Sequence, residues 1–242
     1  MRRTLVAFAM TAGIALASPA SAALIGQVDT FQDGTTDNWV AGGGPNGQVP
    51  PVPPKVQLSG GPGGANDAFL AVTGMGGSGP ASQPGSRLTT FNIFSQWADN
   101  YLTNGVHAIA MDLRNLGAST LTIRLKFENP FAGGDEAVTN VAFTLPSGDD
   151  WTHVFFPIGL ADLTALDGTV AGALGNTSVL RIMHAPGLTD AEPVAGILGI
   201  DNITALATVP EPATLWICAI GVLFAGLYAR KRAREGAVPA QR

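Results

Sequence analysis

The feature that most restricts the fold of this chain is a strict two-residue alternation. In "LTIRLKFE" (121–128), Leu121, Ile123, Leu125 and Phe127 fall on one side of an extended backbone. Thr122, Arg124, Lys126 and Glu128 fall on the other. Successive side chains of a strand point to opposite faces, so this spacing makes a strand with one apolar and one polar face. A helix would scatter the same residues around its axis. "HAIAMDLR" (107–114) repeats the pattern, with Ile109, Met111 and Leu113 opposite Asp112 and Arg114. "AFLAVTG", "SRLTTFNI", "AVTNVAFTLP", "WTHVFFPI", "SVLRIMHAP" and "AGILGIDNITAL" are further strand candidates. Turn residues separate them at Asn115-Leu116-Gly117, Asn129-Pro130, Pro146-Ser147-Gly148 and Pro186-Gly187. The expectation is eight to ten short strands in an all-β, antiparallel sandwich of jelly-roll type. Only "GLADLTALDG" (159–168) is expected to hold a turn or two of helix. Residues 41–64, with Gly or Pro at 14 of 24 positions, and residues 74–86 read as loops.

The two ends do not share this pattern. Residues 1–22 begin with Arg2 and Arg3, continue with an apolar run and finish in Ala20-Ser21-Ala22, a small-x-small cleavage site. That order is expected of a secretory signal peptide, which leaves Ala23 as the mature N-terminus. Near the other end, residues 213–229 carry no charge. As a helix they would reach about 26 Å, the short end of a membrane span. Trp216 and Tyr228 sit near its ends, and Arg230, Lys231, Arg232 and Arg234 follow. Basic residues stay on the cytoplasmic side, so the expected topology exports residues 23–208 and leaves 230–242 inside as a basic stop-transfer tail. A buried core helix with a basic cap is the competing account.

Val209-Pro210-Glu211-Pro212, the apolar run and the Arg-rich tail together resemble the PEP-CTERM sorting signal of Gram-negative bacteria. The resemblance covers about the last 30 residues. It implies export across the inner membrane by signal peptidase and the general secretion machinery, then a single-pass membrane precursor. It also implies processing by a membrane protease-transpeptidase, the exosortase. The expected destination is the cell surface or an exopolysaccharide or biofilm matrix. The residues themselves support a narrower statement. Pro210 and Pro212 hold the segment extended and delay the start of the helix, and extended backbone is what a protease cleft grips.

Charge and motif content exclude several functions. Residues 23–212 hold six Lys and Arg against 17 Asp and Glu, a balance of −11, which opposes nucleic-acid binding. The single cysteine, Cys218, lies in the apolar run, so the exported region forms no internal disulfide. His107, His153 and His184 lack zinc spacing, and neither a nucleophile elbow nor a phosphate loop occurs. Glu128, Asp135 and Glu136 are the nearest thing to a paired-carboxylate set, and nothing in sequence faces two of them together. A non-enzymatic exported protein is the expectation.

A second resemblance is to carbohydrate-binding-module-like jelly rolls. It rests on "DTFQDGTTDNWVAGG", "GDDWTHVFFPI" and "GIDNITAL". It implies a structural calcium held at positions corresponding to Asp33 and Asp201, although Gln32 stands where such modules often have Glu. The competing account is an Asx-turn at Asp33 and an exposed strand position for Asp201. Sugar recognition needs flat aromatic faces and planar polar groups. Arg124, Lys126 and Glu128 form one candidate glycan-lining stripe, with Trp39, Trp97 and Trp151 as candidate platforms. A water-facing strand and core tryptophans are the alternative, with Trp151 expected in the core.

Overall fold

A computed structural model describes residues 24–41, 52–77, 85–130 and 134–207. The signal-peptide, sorting-motif, apolar-run and basic-tail assignments lie outside these residues. Among the described residues no helix is long and apolar enough to cross a membrane.

The chain forms two six-stranded antiparallel sheets packed face to face. In chain order the strands are β1 (Val28–Asp29), β2 (Lys55–Gln57), β3 (Phe69–Met75), β4 (Thr89–Asn92), β5 (Ala108–Asn115) and β6 (Leu121–Glu128). They continue as β7 (Glu136–Thr139), β8 (Phe143–Leu145), β9 (Thr152–Pro157), β10 (Leu163–Asp167), β11 (Val179–His184) and β12 (Ala195–Leu206). One sheet runs β2-β3-β12-β5-β9, and the other β10-β7-β6-β11-β4. Two long strands each serve two short neighbours end to end. On one edge of β12, residues 195–200 pair with β3 and residues 203–204 with β1. On β6, residues 121–123 pair with β8 and residues 126–128 with β7.

The alternation read from sequence sets the core. Leu121, Ile123, Leu125 and Phe127 are buried and meet Ile109, Met111 and Leu113 from the opposite sheet in one cluster. Each such side chain contributes roughly 1.5–3 kcal/mol by leaving water.

Three expectations need correction. Residues 163–167 are strand β10, not helix, and pair antiparallel with β7. The helix α1 (Val170–Gly175) follows, N-capped by the Thr169 side chain, which accepts from Gly172 N–H. Residues 55–57, inside the expected loop, form β2 by pairing with the edge of β3. "AVTNVAFTLP" is two strands, β7 and β8, rather than one.

Candidate functional site

The polar stripe of β6 is on the predicted outer face but is not water-facing. Arg124, Lys126 and Glu128 are all buried, with Lys126 only 2% exposed. Residues 185–194 cross over this face. Ala185 and Ala191 from that segment join Val138 and Met183 in a second, small apolar cluster. Lys126 Nζ reaches Glu128 Oε1 at 2.8 Å, Glu136 Oε2 at 2.7 Å and Asp190 Oδ1 at 3.2 Å. Burial alone would lower the Lys126 pKa, but the attraction of Glu128 and bonds from Glu128 and Glu136 outweigh it and hold the ammonium charged. Arg124 donates to the backbone carbonyls of Ala185, Thr139 and Asn140. Arg181 bonds Glu128 Oε2 through Nε and Nη2 and lies over the Phe91 ring. The stripe is thus an internal ion-pair network that ties the covering segment to the sheet. Glu128 and Glu136 are brought together after all, directly opposite in register, yet their shared partner is the lysine.

The two calcium positions have different surroundings. Asp33 is exposed, and its Oδ1 accepts from Thr35 N–H and Thr35 Oγ1 at 2.8 Å each, an Asx-turn that lowers its pKa. Asp201 is fully buried, not at an exposed strand position, and burial raises its pKa to about 7. The acids that face it are Asp67 and Asp112, not Asp33. A bulge after Asp201, with Asn202 at φ 52°, lets the Asn202 amide donate to Asp112 Oδ2 at 2.7 Å. Among the described residues no three His, Cys, Asp or Glu side chains are grouped to hold a metal. Oxygens do converge beside Asp33, however. Gln32 Nε2 donates to Asp67 Oδ1, Thr30 O and Ala68 O at 2.6, 3.1 and 3.2 Å, three acceptors for two hydrogens. The other end of the amide, Oε1, accepts the Ala68 N–H at 3.4 Å, so a rotamer that turned Oε1 toward these oxygens as a fourth would give up that bond. An all-oxygen set of this kind fits a hard cation, with Gln32 and Asp67 supplying the side-chain ligands in place of Asp33.

The third feature lies in the segment where the sequence suggested a calcium ligand at Asp33 and a sugar platform at Trp39, but no groove. A groove of about 790 Å³ is bounded by β1, the turns that follow it as far as Val40, and the segment at Phe94 and Gln96. One buried carboxylate organises it. Asp29 Oδ2 accepts from the indole N–H of both Trp39 and Trp97 at 2.7 Å, and Asp29 Oδ1 accepts from Gln27 Nε2 at 2.7 Å. The two rings pack at 6.1 Å between centroids and are buried, so neither is an open sugar platform. Trp151 is not in the core. It is half-buried outside the sheet, edge-on to Phe69, with Nε1 donating to Gly60 O.

Above Asp29, Asn38 Nδ2 donates to Gln96 Oε1 at 3.0 Å, and Gln96 Nε2 donates to Asp37 O at 2.7 Å. Burial, then repulsion from Asp29, raises the Asp37 pKa. Val40 exchanges two backbone hydrogen bonds with Phe91, which seats the turn on the end of β4. Phe31, Asp37 and Asn38 have φ of 57°, 47° and 64°. A phenylalanine in this region is a genuine outlier, held here by burial of its ring, and such strain collects at binding sites. The lining includes three solvent-exposed apolar side chains: Phe94, which is 48% exposed, Val28 and Val40. The sequence signal was present in "TTDNWV", a polar run before a tryptophan. What it lacked was any hint that Phe94 and Gln96 would come to lie against it.

No family model matches the chain, and no curated protein does. Solved structures share its fold. An exo-β-agarase is 9% identical with a TM-score of 0.50, over 75% of this chain and 25% of that one. A family 11 carbohydrate-binding module from Clostridium thermocellum, solved with a β-1,3-1,4-mixed-linked tetrasaccharide, is 15% identical at TM-score 0.47, over 77% of this chain and 99% of that one. A family 28 module specific for non-crystalline cellulose is 15% identical at 0.46, over 77% of this chain and 95% of that one. The chain spans only a quarter of the agarase it resembles. At these identities the likeness is one of fold: an antiparallel β-sandwich of jelly-roll type.

Proposed function

We propose that this chain is a non-catalytic, exported glycan-binding protein, and that the groove beside Asp29 is its binding site. The observation that supports this best is the chemistry of the groove lining. An exposed phenylalanine and two exposed valines line it together with the planar amides of Gln27, Asn38 and Gln96 and the carboxylate of Asp37. Sugar rings offer apolar C–H faces and in-plane hydroxyls, and this pairing of surfaces suits them. The paired carboxylates of β6 and β7 are both ion-paired to Lys126, and Glu128 to Arg181 as well, which argues against a hydrolase reading of that cluster.

The location part of the proposal rests on sequence. A signal peptide, the Pro210-Glu211-Pro212 segment, an apolar run and a basic tail stand in the order a sorted precursor needs. We propose that an exosortase processes this end and that the glycan is a surface or matrix polysaccharide. A structural calcium, if held, would lie among Thr30 O, Gln32, Asp67 and Ala68 O, where its charge would tie the turn after β1 to the start of β3.

A glycan array probed with the purified full-length chain tests the binding reading. Binding to at least one oligosaccharide is expected, with Phe94→Ala weakening it by tenfold or more at unchanged melting temperature. No binding to any glycan, or binding indifferent to Phe94→Ala, refutes the assignment of the groove.

A further inference from the structure

The groove and the point where the chain leaves the sandwich share one end of the molecule. β12 finishes at Leu206, whose carbonyl accepts the His107 N–H, and the described residues stop at Ala207. β1 lies against these last residues of β12, with Val28 opposite Thr204 and Gly26 N–H bonded to Ala205 O. Ile25 packs beside Gly105, in the turn that carries Leu102. β5 and β6 are joined through 116–120 at the far end, so the start of β5 and the end of β6 meet at the near one. β4 ends there too: Asn92 is level with Phe127 through Leu180, and Phe94 follows it into the groove beside Val28. Ile25, Val28, Phe94 and Leu102 are between 40% and 48% exposed. Residues 24–40 and 93–107 hold acids but no lysine or arginine, so this end offers a surface apolar contact and no attraction to anionic headgroups.

Chain length limits how far this end can stand from a membrane. From Ala207 to Ala213, where the uncharged run begins, are six residue steps, at most about 22 Å of extended chain. The twelve residues of β12 alone span roughly 36 Å, so an anchored chain keeps the near end, not the far one, by the bilayer. We propose that, while the tail is attached, this end is seated on the outer face of the bilayer through Ile25, Val28, Phe94 and Leu102, and that the groove is thereby closed to a polymer until the tail is lost. The proposal rests on the anchored-precursor reading of residues 209–234. Four half-exposed side chains bury too little to hold a free domain on lipid, but a short tether supplies a local concentration of about millimolar. Loss of the tail ends the contact and uncovers the groove together, so the protein binds glycan only after it leaves the membrane.

Polymer labelling of the full-length chain in phosphatidylcholine nanodiscs tests this. With the single cysteine removed by Cys218→Ser, a new thiol is placed beside the groove by Ser95→Cys or in the far-end turn by Ser147→Cys; both positions are exposed. A 5-kDa maleimide-polyethylene glycol should react at position 95 about tenfold more slowly than at 147. A 20-residue Gly-Ser insertion after Ala207 should bring the two rates within about twofold. Ile25→Gln with Leu102→Gln, both exposed and outside the core, should speed position 95 about threefold with the native tether. Equal rates at 95 and 147 overturn the proposal. A slow position 95 that the insertion does not relieve overturns it as local shielding, and a rate indifferent to the Gln pair overturns the apolar seat. If the chain elutes apart from the discs, the anchor reading falls and this inference falls with it. No sugar enters the assay, so an empty glycan array removes the ligand of the groove and leaves the labelling result standing.

Discussion

Replacing Asp29 by alanine tests whether one carboxylate holds the groove and the first strand together. Asp29 is 2% exposed and receives two buried indole N–H donors, the Gln27 amide at 2.7 Å and a long bond from the Gln96 amide at 3.5 Å. In the alanine variant the two indole groups have no acceptor, and each orphaned buried donor costs about 1–3 kcal/mol. The Gln27 amide is half-buried and finds water, so its loss adds little. The expected total is about 2–6 kcal/mol. Asparagine keeps one oxygen where both indoles point and should cost roughly 1–2 kcal/mol. For a domain of this size each kcal/mol moves the melting temperature by about 2–4 °C, so Asp29→Ala should lose about 10 °C. Urea unfolding followed by tryptophan fluorescence reads the difference. The cause can be isolated: in a Trp39→Phe background one donor is already gone, so Asp29→Ala should cost about 1–3 kcal/mol less than in the parent. A loss below about 1 kcal/mol in the parent, or an undiminished loss in the Trp39→Phe background, would refute the hydrogen-bond account.

Three further outcomes are expected. His184 is nearly buried and its Nδ1 accepts the Thr122 backbone N–H at 2.9 Å; burial lowers its pKa below 6.5, against a smaller upward pull from Glu192. The unfolded chain therefore binds the proton more readily, so this contribution is present above pH 6.5 and is lost as pH falls through the lower folded value. Melting curves from pH 8 to 5 should show the decline, and His184→Gln should flatten it; an unchanged slope in the variant would reject the assignment. Calcium should raise the melting temperature through the oxygens around Gln32, and Gln32→Glu should enlarge that rise by adding charge; equal curves in calcium and chelator for both forms would remove the metal reading. Intact mass of the protein from its source membrane should give an N-terminus at Ala23 and a C-terminus near Pro210. An uncut tail would defeat the sorting proposal.

How much of this molecule could be read from sequence depended on how far apart the interacting residues lie. The core face of β6 was legible because Leu121, Ile123, Leu125 and Phe127 declare it within eight residues, and partition between water and core acts on that local spacing. The helix expected at 159–168 failed for a long-range reason. Thr164 and Ala165 are strand because Val138 and Ala137 lie opposite them, and no local property says so. β2 is three residues long and exists only because the edge of β3 offers hydrogen bonds to 55–57.

The outward stripe shows the limit more sharply. Polarity at Arg124, Lys126 and Glu128 reports what those side chains require, a charge partner or water, and not which of the two they obtain. Residues 185–194, some sixty positions later, supply Asp190 and the apolar cover, and turn an expected solvated face into an internal one. The groove follows the same rule in reverse. Its acids, Asp29, Asp33 and Asp37, stand within nine residues and were visible. Their meaning depends on Trp97, 68 positions from Asp29, which fixes the buried carboxylate, and on neighbouring Phe94 and Gln96, which complete the lining. Alternation identifies the layer a residue belongs to, and the fold decides its partners. A binding site in a sandwich of this kind is made almost wholly of the second kind of information.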